Sequence, residues 1–328
     1  MGTNIPHLRD PGVVINAYIE DNYEVRANAL FQPWDKESDL DAGLLGVPYD
    51  GASVVRNGSR EAPNRIRQSF SYNTSYSPDF DVDIDELMLA DLGDVDIDLM
   101  DLETTRRRTK AVLDAVHDRD IVPVVLGGDH STSYATVAAA CARDDVDSLG
   151  VVQFDAHQDL RHSHEGQPSS GVQFRELLED DRYPEFTGEN YAQVGIRGFM
   201  NSRYYMDYAE EKDITVITGH EVAEDGIESA VEQALTVAGE GTDAIFMTVD
   251  IDCLDLSIAP GTAAPSPGGL SSWDILKGVY RVGAHEKTIG MDLVEVSPPN
   301  DVQGITSVTA ATIVLHYLGG LTSSHGTE

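Results

Sequence analysis

The sequence predicts a single large α/β domain built on a parallel sheet of about eight strands. Apolar runs of strand length alternate with stretches of helical spacing along most of the 328 residues. The polar residues with the most chemistry in them follow directly after apolar runs, where open parallel sheets place their binding loops. The length would accommodate one large or two average domains, but no internal repeat or low-complexity linker divides the chain.

Residues 1–40 contain Pro6, Pro11 and Pro33 and are expected to wrap the surface as an irregular extension, leaving residues 41–328 as the domain. A first strand, Ala42–Val47, runs into the polar loop PYDGASVVRNGSREAPNRIR and a short helix. Leu87–Ala90 reads as the second strand. Leu102–Arg119 has amphipathic helical spacing and feeds the strand Ile121–Leu126, which Gly127-Gly128 ends before the alanine-rich helix Thr132–Arg143. The strand Leu149–Phe154 (LGVVQF) precedes a polar segment without periodicity, Leu160–Gly171. Loops of that length inside compact domains are usually functional. Strands Tyr191–Ile196 and Ile214–Thr218 each lead into helical stretches, the second of which is Ala223–Gly239. Ala244–Val249 (AIFMTV) is followed by the loop SIAPGTAAPSPGG, and helix Ser272–Val282, strand Thr288–Val294 and helix Thr306–Leu318 complete the chain.

Acidic residues number 57 against 22 basic ones, for a formal charge of −35. That balance excludes nucleic acid as a partner, because phosphate contacts need basic patches. The acid is spread along the chain and lysine is scarce, as suits a halophilic protein in concentrated salt. At about 1 M salt the Debye length is about 3 Å, so this charge cannot steer a substrate from afar. No apolar run approaches the roughly 18 residues that span a bilayer. The start MGTNIPHLRD lacks the basic and apolar regions of a signal peptide, and Pro6 stands where a myristoylation signal needs Ser or Thr. A cytoplasmic protein without a membrane partner is expected. Cys141 and Cys253 are too few for a disulfide scaffold. Strand alternation would turn Cys253 away from Asp250 and Asp252 as a small buried hydrophobe.

Two acidic runs carry the chemistry: DAHQD at Asp155–Asp159 after LGVVQF, and DIDCLD at Asp250–Asp255 after AIFMTV. With GGDHS they offer His130, Asp155, His157, Asp159, Asp250 and Asp252 as metal ligands. Four converging carboxylates repel unless some are protonated or cations neutralise them. Alternate residues on a strand lie about 6.6 Å apart on one face, which suits Asp250 and Asp252 for cations about 3.5–4 Å apart. Asp155 to Asp159 would span about 13 Å if extended, so the chain must curl after Phe154. One such acidic pair alone is usually a helix cap or turn. Three clusters at three strand ends point to a multi-metal site. Two imidazoles and four carboxylates favour manganese over zinc, with cobalt, nickel or zinc still admitted by geometry, and two divalent ions would bring a bound water toward neutral pKa.

GGDHS, DAHQD and DIDCLDLSIAPGTAAPSPGGL resemble the signatures of the ureohydrolases, the arginase and agmatinase superfamily. VPYDGASVVRNGSREAPNRIR, QVGIRG and MDLVEVSPPND extend the resemblance from Gly46 to the C-terminus. It implies a three-layer α/β/α sandwich and two Mn2+ per chain. One metal would take His130, Asp155, Asp159 and Asp250, the other His157, Asp155, Asp250 and Asp252. Glu295 in LVEVSPP would pair with the amidine or guanidine of the substrate, and Asp159 would orient the nucleophile. A homo-oligomer, trimer or hexamer, is also implied.

Arginases and agmatinases place a His-Gly pair about a dozen residues beyond DAHxD, where this chain has Ser170-Gly171. With Leu160-Arg161 after DAHQD, the segment resembles the formimidoylglutamases of histidine degradation, which implies hydrolysis of N-formimino-L-glutamate to glutamate and formamide. An agmatinase or another guanidino-compound ureohydrolase releasing urea is the alternative, and a metal-binding assembly subunit without catalysis is a third. Arg161 is the expected partner of a substrate carboxylate, with Asn57, Arg60 and Ser170 beside it. The plainer readings are an Arg161 paired with acidic neighbours, Asn57-Gly58 as a turn, and His162 and His164 as exposed loop residues. The change from the family's GTGTP to GTAAP at Gly261–Pro265 has no consequence derivable from sequence.

Overall fold

The computed structural model describes residues 6–9, 22–163, 165 and 167–325. Eight parallel strands form the sheet: β1 Ala42–Gly46, β2 Leu89–Val95, β3 Val122–Leu126, β4 Leu149–Phe154, β5 Phe186–Ile196, β6 Thr215–Thr218, β7 Ala244–Asp250 and β8 Thr288–Val294. Their spatial order is β2-β1-β3-β8-β7-β4-β5-β6, with Leu8–Arg9 added antiparallel to β2. The middle strands β4 and β7 are buried along their whole length. Burial on both faces is why LGVVQF and AIFMTV read as unbroken apolar runs rather than alternating ones.

Side chains alternate between two helical layers. Val152 and Phe154 join the core beneath helices Ala62–Ser69, Ile227–Gly239, Ser272–Gly283 and Ile305–His325. Leu149 and Val151 join the core beneath Ser133–Cys141, Gln173–Leu178 and Arg203–Glu211, and helix Leu102–His117 covers Leu45, Val47 and Val125 nearby. The result is the three-layer sandwich.

The structure corrects several boundaries. β2 is not Leu87–Ala90 but continues to Val95. Its acidic residues Asp91 and Asp94 hid it from an apolar reading, and both are buried around Arg67, which is itself 0% exposed. Arg67 Nε and Nη2 donate to Asp91 at 2.6 and 2.8 Å, and Nη1 donates to Asp94 at 2.7 Å. The stretch Ala223–Gly239 is not one helix. It is Gly219–Asp225, started by a capping box between Thr218 and Glu221, then Ile227–Gly239. They break at Gly226, whose φ of +86° is open to glycine at no steric cost. The last helix, Ile305–His325, is long and apolar enough to cross a membrane by composition alone, but 67% of that window is buried inside the fold.

Replacing Arg67 by Met leaves two buried carboxylates without a counter-charge. It is expected to cost about 3–5 kcal/mol in denaturant unfolding, and a loss below about 1 kcal/mol would contradict this role. His117 is buried, and burial with the nearby Arg143 guanidinium brings its imidazole down to about 4. Its folded pKa lies below the unfolded one, so its contribution is present above about pH 6.5 and is lost as pH falls toward 4. A His117→Gln variant should show a shallower dependence of unfolding free energy on pH across that window, and an unchanged slope would exclude His117 as the cause.

Candidate metal centre

The carboxyl ends of β3, β8, β7 and β4 are neighbours in the sheet, and each delivers part of one site. After β3, Gly128 lets the chain pass Tyr49 so closely that a Cβ would lie 1.6 Å from the Tyr49 carbonyl oxygen. His130 follows in a tight turn, where Asp129 accepts the Ser131 N–H at 3.1 Å. After β4, the His157 N–H donates to Asp155 Oδ1 at 2.6 Å, and the chain curls back through Asp159 at φ +53°. β7 ends on Asp250, which accepts the Asp252 N–H at 2.8 Å and caps the turn Ile251–Cys253. Asp252 and Cys253 therefore lie on a turn, not on the extended strand that sequence spacing assumed. Both are buried all the same.

Two nests of ligand atoms result, and they share Asp155. His130 Nδ1 lies 3.2 Å from Asp155 Oδ2, 2.9 Å from Asp159 Oδ2 and 3.3 Å from Asp250 Oδ2. His157 Nδ1 lies 3.1 Å from Asp252 Oδ2 and 3.6 Å from Asp155 Oδ1. Burial disfavours charge on His130, but the three carboxylates outweigh it and raise the imidazole well above its ordinary pKa. His157 is likewise disfavoured by burial yet pushed up to about 12 by Asp252 and Asp155. Burial and the neighbouring Asp252 and Asp155 charges push Asp250 well up. Burial also opposes charge on Asp155, but the two imidazoles hold it below the usual carboxylate range. The cluster thus demands positive charge at its centre.

The donor set fits divalent cations on a further observation. His130 Nδ1 is buried and none of its three carboxylate neighbours meets it in hydrogen-bond geometry. Its other nitrogen, Nε2, is held 3.1 Å from Thr248 Oγ1, which aims Nδ1 into the cluster. Buried amides orient the carboxylates: Gln153 Nε2 donates to Asp155 Oδ2 and Gln173 Nε2 to Asp159 Oδ2, each at 2.6 Å. Tyr191 and Gln193 in turn hold Gln153 Oε1. Sequence reading missed both glutamines. The one available signal was a glutamine inside the apolar strand LGVVQF.

Glu295 closes the site from β8, at φ +64°. Its Oε1 accepts the His130 N–H at 2.9 Å, while Oε2 is buried without a partner. Burial and the Asp129 charge raise its pKa well above the usual range. A cavity of about 250 Å³ opens above His157, Asp159, Asp250, Asp252 and Glu295. Val54, Val55, Met200, Ala263 and Ala264 form its apolar wall, so the GTAAP alanines face the cavity. Arg161, Ser170 and Gly171 line the remaining side. The Arg161 backbone N–H bonds to Gly171 O at 2.9 Å, and among the described residues no carboxylate pairs with its guanidinium.

Asn57 and Arg60 stand apart from this cavity. The Asn57 carbonyl accepts from Ser297 and Asn300, and the Arg60 guanidinium turns to Asp50 at 3.7 Å. Neither residue is in the cavity lining, and the Asn57 backbone is fastened instead to the 297–300 turn. His162 bonds to Tyr204 Oη at 2.9 Å on the exposed rim, and His164 lies outside the described residues.

The arginase family model matches residues 40–319. The chain belongs to the arginase family. Among its relatives, a formimidoylglutamase of Halalkalibacterium halodurans is 36% identical over 93% of this chain and 95% of that protein. The crystal structure of formimidoylglutamase from Bacillus subtilis superposes with a TM-score of 0.88 at 34% identity, covering 97% of both chains. Trypanosoma cruzi formiminoglutamase, solved with Mn2+, gives 0.84 at 26% identity over 92% of this chain and 99% of that one. This arginase-family chain is a hydrolase of C–N bonds in linear amidines.

A Gly128→Ala substitution should displace the turn that carries His130, because the obstacle is backbone. Elemental analysis after manganese loading is expected to fall below that of the unmodified chain. Equal metal content would show that the turn yields without moving the site.

Proposed function

We propose that this chain hydrolyses N-formimino-L-glutamate to L-glutamate and formamide, using two manganese ions. The observation that carries the reading is an Arg161 guanidinium, without a carboxylate partner among the described residues, beside a cavity whose floor is the carboxylate–imidazole cluster. The substrate carries its formimino cation on the α-nitrogen, beside one carboxylate and with the second at the end of its side chain; the acidic cluster faces the cation and Arg161 can pair with a carboxylate.

His130, Asp155, Asp159 and Asp250 would hold one ion, and His157, Asp155, Asp250 and Asp252 the other. Bound there, the ions contribute Lewis acidity and bring a water toward neutral pKa. Oxygen-rich ligation and the Mn2+ in the Trypanosoma cruzi structure support manganese. Glu295 receives the formimino N–H groups on its free Oε2, since Oε1 is already committed to the His130 N–H. Asp159, fixed by Gln173, orients the attacking water. Arg161 pairs with a substrate carboxylate in the planar two-point manner that guanidinium allows, and the Ser170 hydroxyl adds a hydrogen bond. Val54, Val55 and Met200 give the cavity an apolar rim. The scissile bond joins the formimino carbon to the glutamate nitrogen, which leaves as an amine after taking up a proton.

The acidic surface supports a cytoplasm of high salt as the setting, and the protein is read as a homo-oligomer, trimer or hexamer. Light scattering in concentrated salt measures the latter directly.

Metal-loaded protein should release formamide from N-formimino-L-glutamate and no urea from agmatine, arginine or guanidinobutyrate. Urea release without formamide would reject the assignment. Arg161→Ala should raise KM about 10–100-fold, as loss of a charged hydrogen bond does, with metal content unchanged. An unaltered KM would remove Arg161 from substrate recognition. Asp250→Ala should abolish turnover and lower bound metal below two per chain, whereas retention of two would refute its bridging role.

A further inference from the structure

The loop that carries Asp252 is held by a guanidinium that sequence reading passed over. Arg197 follows β5 and is only 9% exposed. Among the described residues no carboxylate pairs with it. Its Nη2 donates to the carbonyl oxygens of Asp252 at 2.7 Å, Leu254 at 2.9 Å and Ser266 at 3.2 Å. Nη1 donates to Cys253 O at 3.0 Å, and Nε to Pro267 O at 3.4 Å. A buried cation is costly unless it is well hydrogen-bonded, and here all three guanidinium nitrogens of the planar fork donate to carbonyls in directions that a lysine ammonium could not reproduce.

The same short segment reaches the other ligand loop. The Arg197 N–H bonds to Ala156 O at 3.1 Å, and Asn201 Nδ2 bonds to Ala156 O at 2.9 Å. Asn201 Oδ1 accepts the Gln158 N–H at 3.2 Å. His157 sits between those two anchor points, and the Ala156 N–H bonds to Asp252 Oδ1 at 3.2 Å. His157 and Asp252, on separate loops, are therefore clamped to each other through residues 197–201. His130 and Asp159 are held by different groups, Thr248 and Gln173.

We propose that Arg197 is a positioning residue for one cation position, that of His157 and Asp252, with Asn201 tying it to the DAHQD loop. This deepens the dimetal reading of the centre and rests on it. The two cation positions then have separate supports, so weakening one support loosens one cation and leaves the other.

Titration of the metal-freed full-length chain with Mn2+, following the free ion by electron paramagnetic resonance, tests this. The unmodified chain should bind two ions. Arg197→Lys should weaken one of them by about 10–100-fold, the usual cost of losing an orienting partner, and leave the other unchanged. Adding His157→Asn to Arg197→Lys should abolish only the already weakened ion, whereas adding His130→Asn should compromise both. Equal weakening of both ions by Arg197→Lys, or no change in either, would overturn the proposal. Should Arg197→Lys fail to fold, Asn201→Ala at its half-buried site decides, with selective weakening of one ion supporting the proposal and equal or absent weakening overturning it. Fewer than two ions on the unmodified chain would instead overturn the dimetal reading, and the inference with it.

Discussion

Four carboxylates and two imidazoles gathered at the ends of adjacent central strands impose the constraint on which the rest of this protein depends. Like charges at such distances in a buried setting resist assembly, and the carboxylates can share the site only around positive charge. The surrounding structure is arranged to hold them there. Asp159 and Glu295 adopt positive φ, a conformation that costs of order 1–3 kcal/mol for each such residue and persists only where neighbours enforce it. Their carboxylates are in turn held by Gln173 and the His130 N–H, one for each.

Arginine is allocated with the same economy. Arg67 neutralises two acids inside the sheet layer, and Arg197 gathers the carbonyls of the Asp252 loop. Arg106 bonds to Ser131 O at 3.1 Å and to Glu176 at 2.8 Å, joining helix Leu102–His117 to the His130 turn and to the helix after Ser170. Three guanidiniums thus brace the scaffold, while Arg161 faces the cavity free of any described acidic partner.

The two helical layers and the parallel sheet were legible because burial on both faces leaves strands such as LGVVQF continuously apolar. Where burial was achieved by ion pairing, as at Asp91 and Asp94 in β2, the same reading stopped short. The ligand candidates were legible because metal-binding residue types recur at three strand ends. Their supports were not. Gln153 stood out only as a glutamine in an apolar strand and Arg197 only as part of QVGIRG, and nothing in the sequence told which groups these two or Gln173 would hold.

Residue type and order thus determined by themselves the fold class, the candidate ligand residues and the kind of chemistry, since periodicity and donor chemistry are local properties. Tertiary structure alone decided which polar side chains reach the cavity. It put Arg161 and Ser170 on the lining and left Asn57 and Arg60 off it, with the Asn57 backbone fastened to the 297–300 turn by a contact between segments some 240 residues apart. It also decided that Asp252 belongs to a turn rather than a strand, because the hydrogen bond from its N–H to the Asp250 carboxylate ends β7 there.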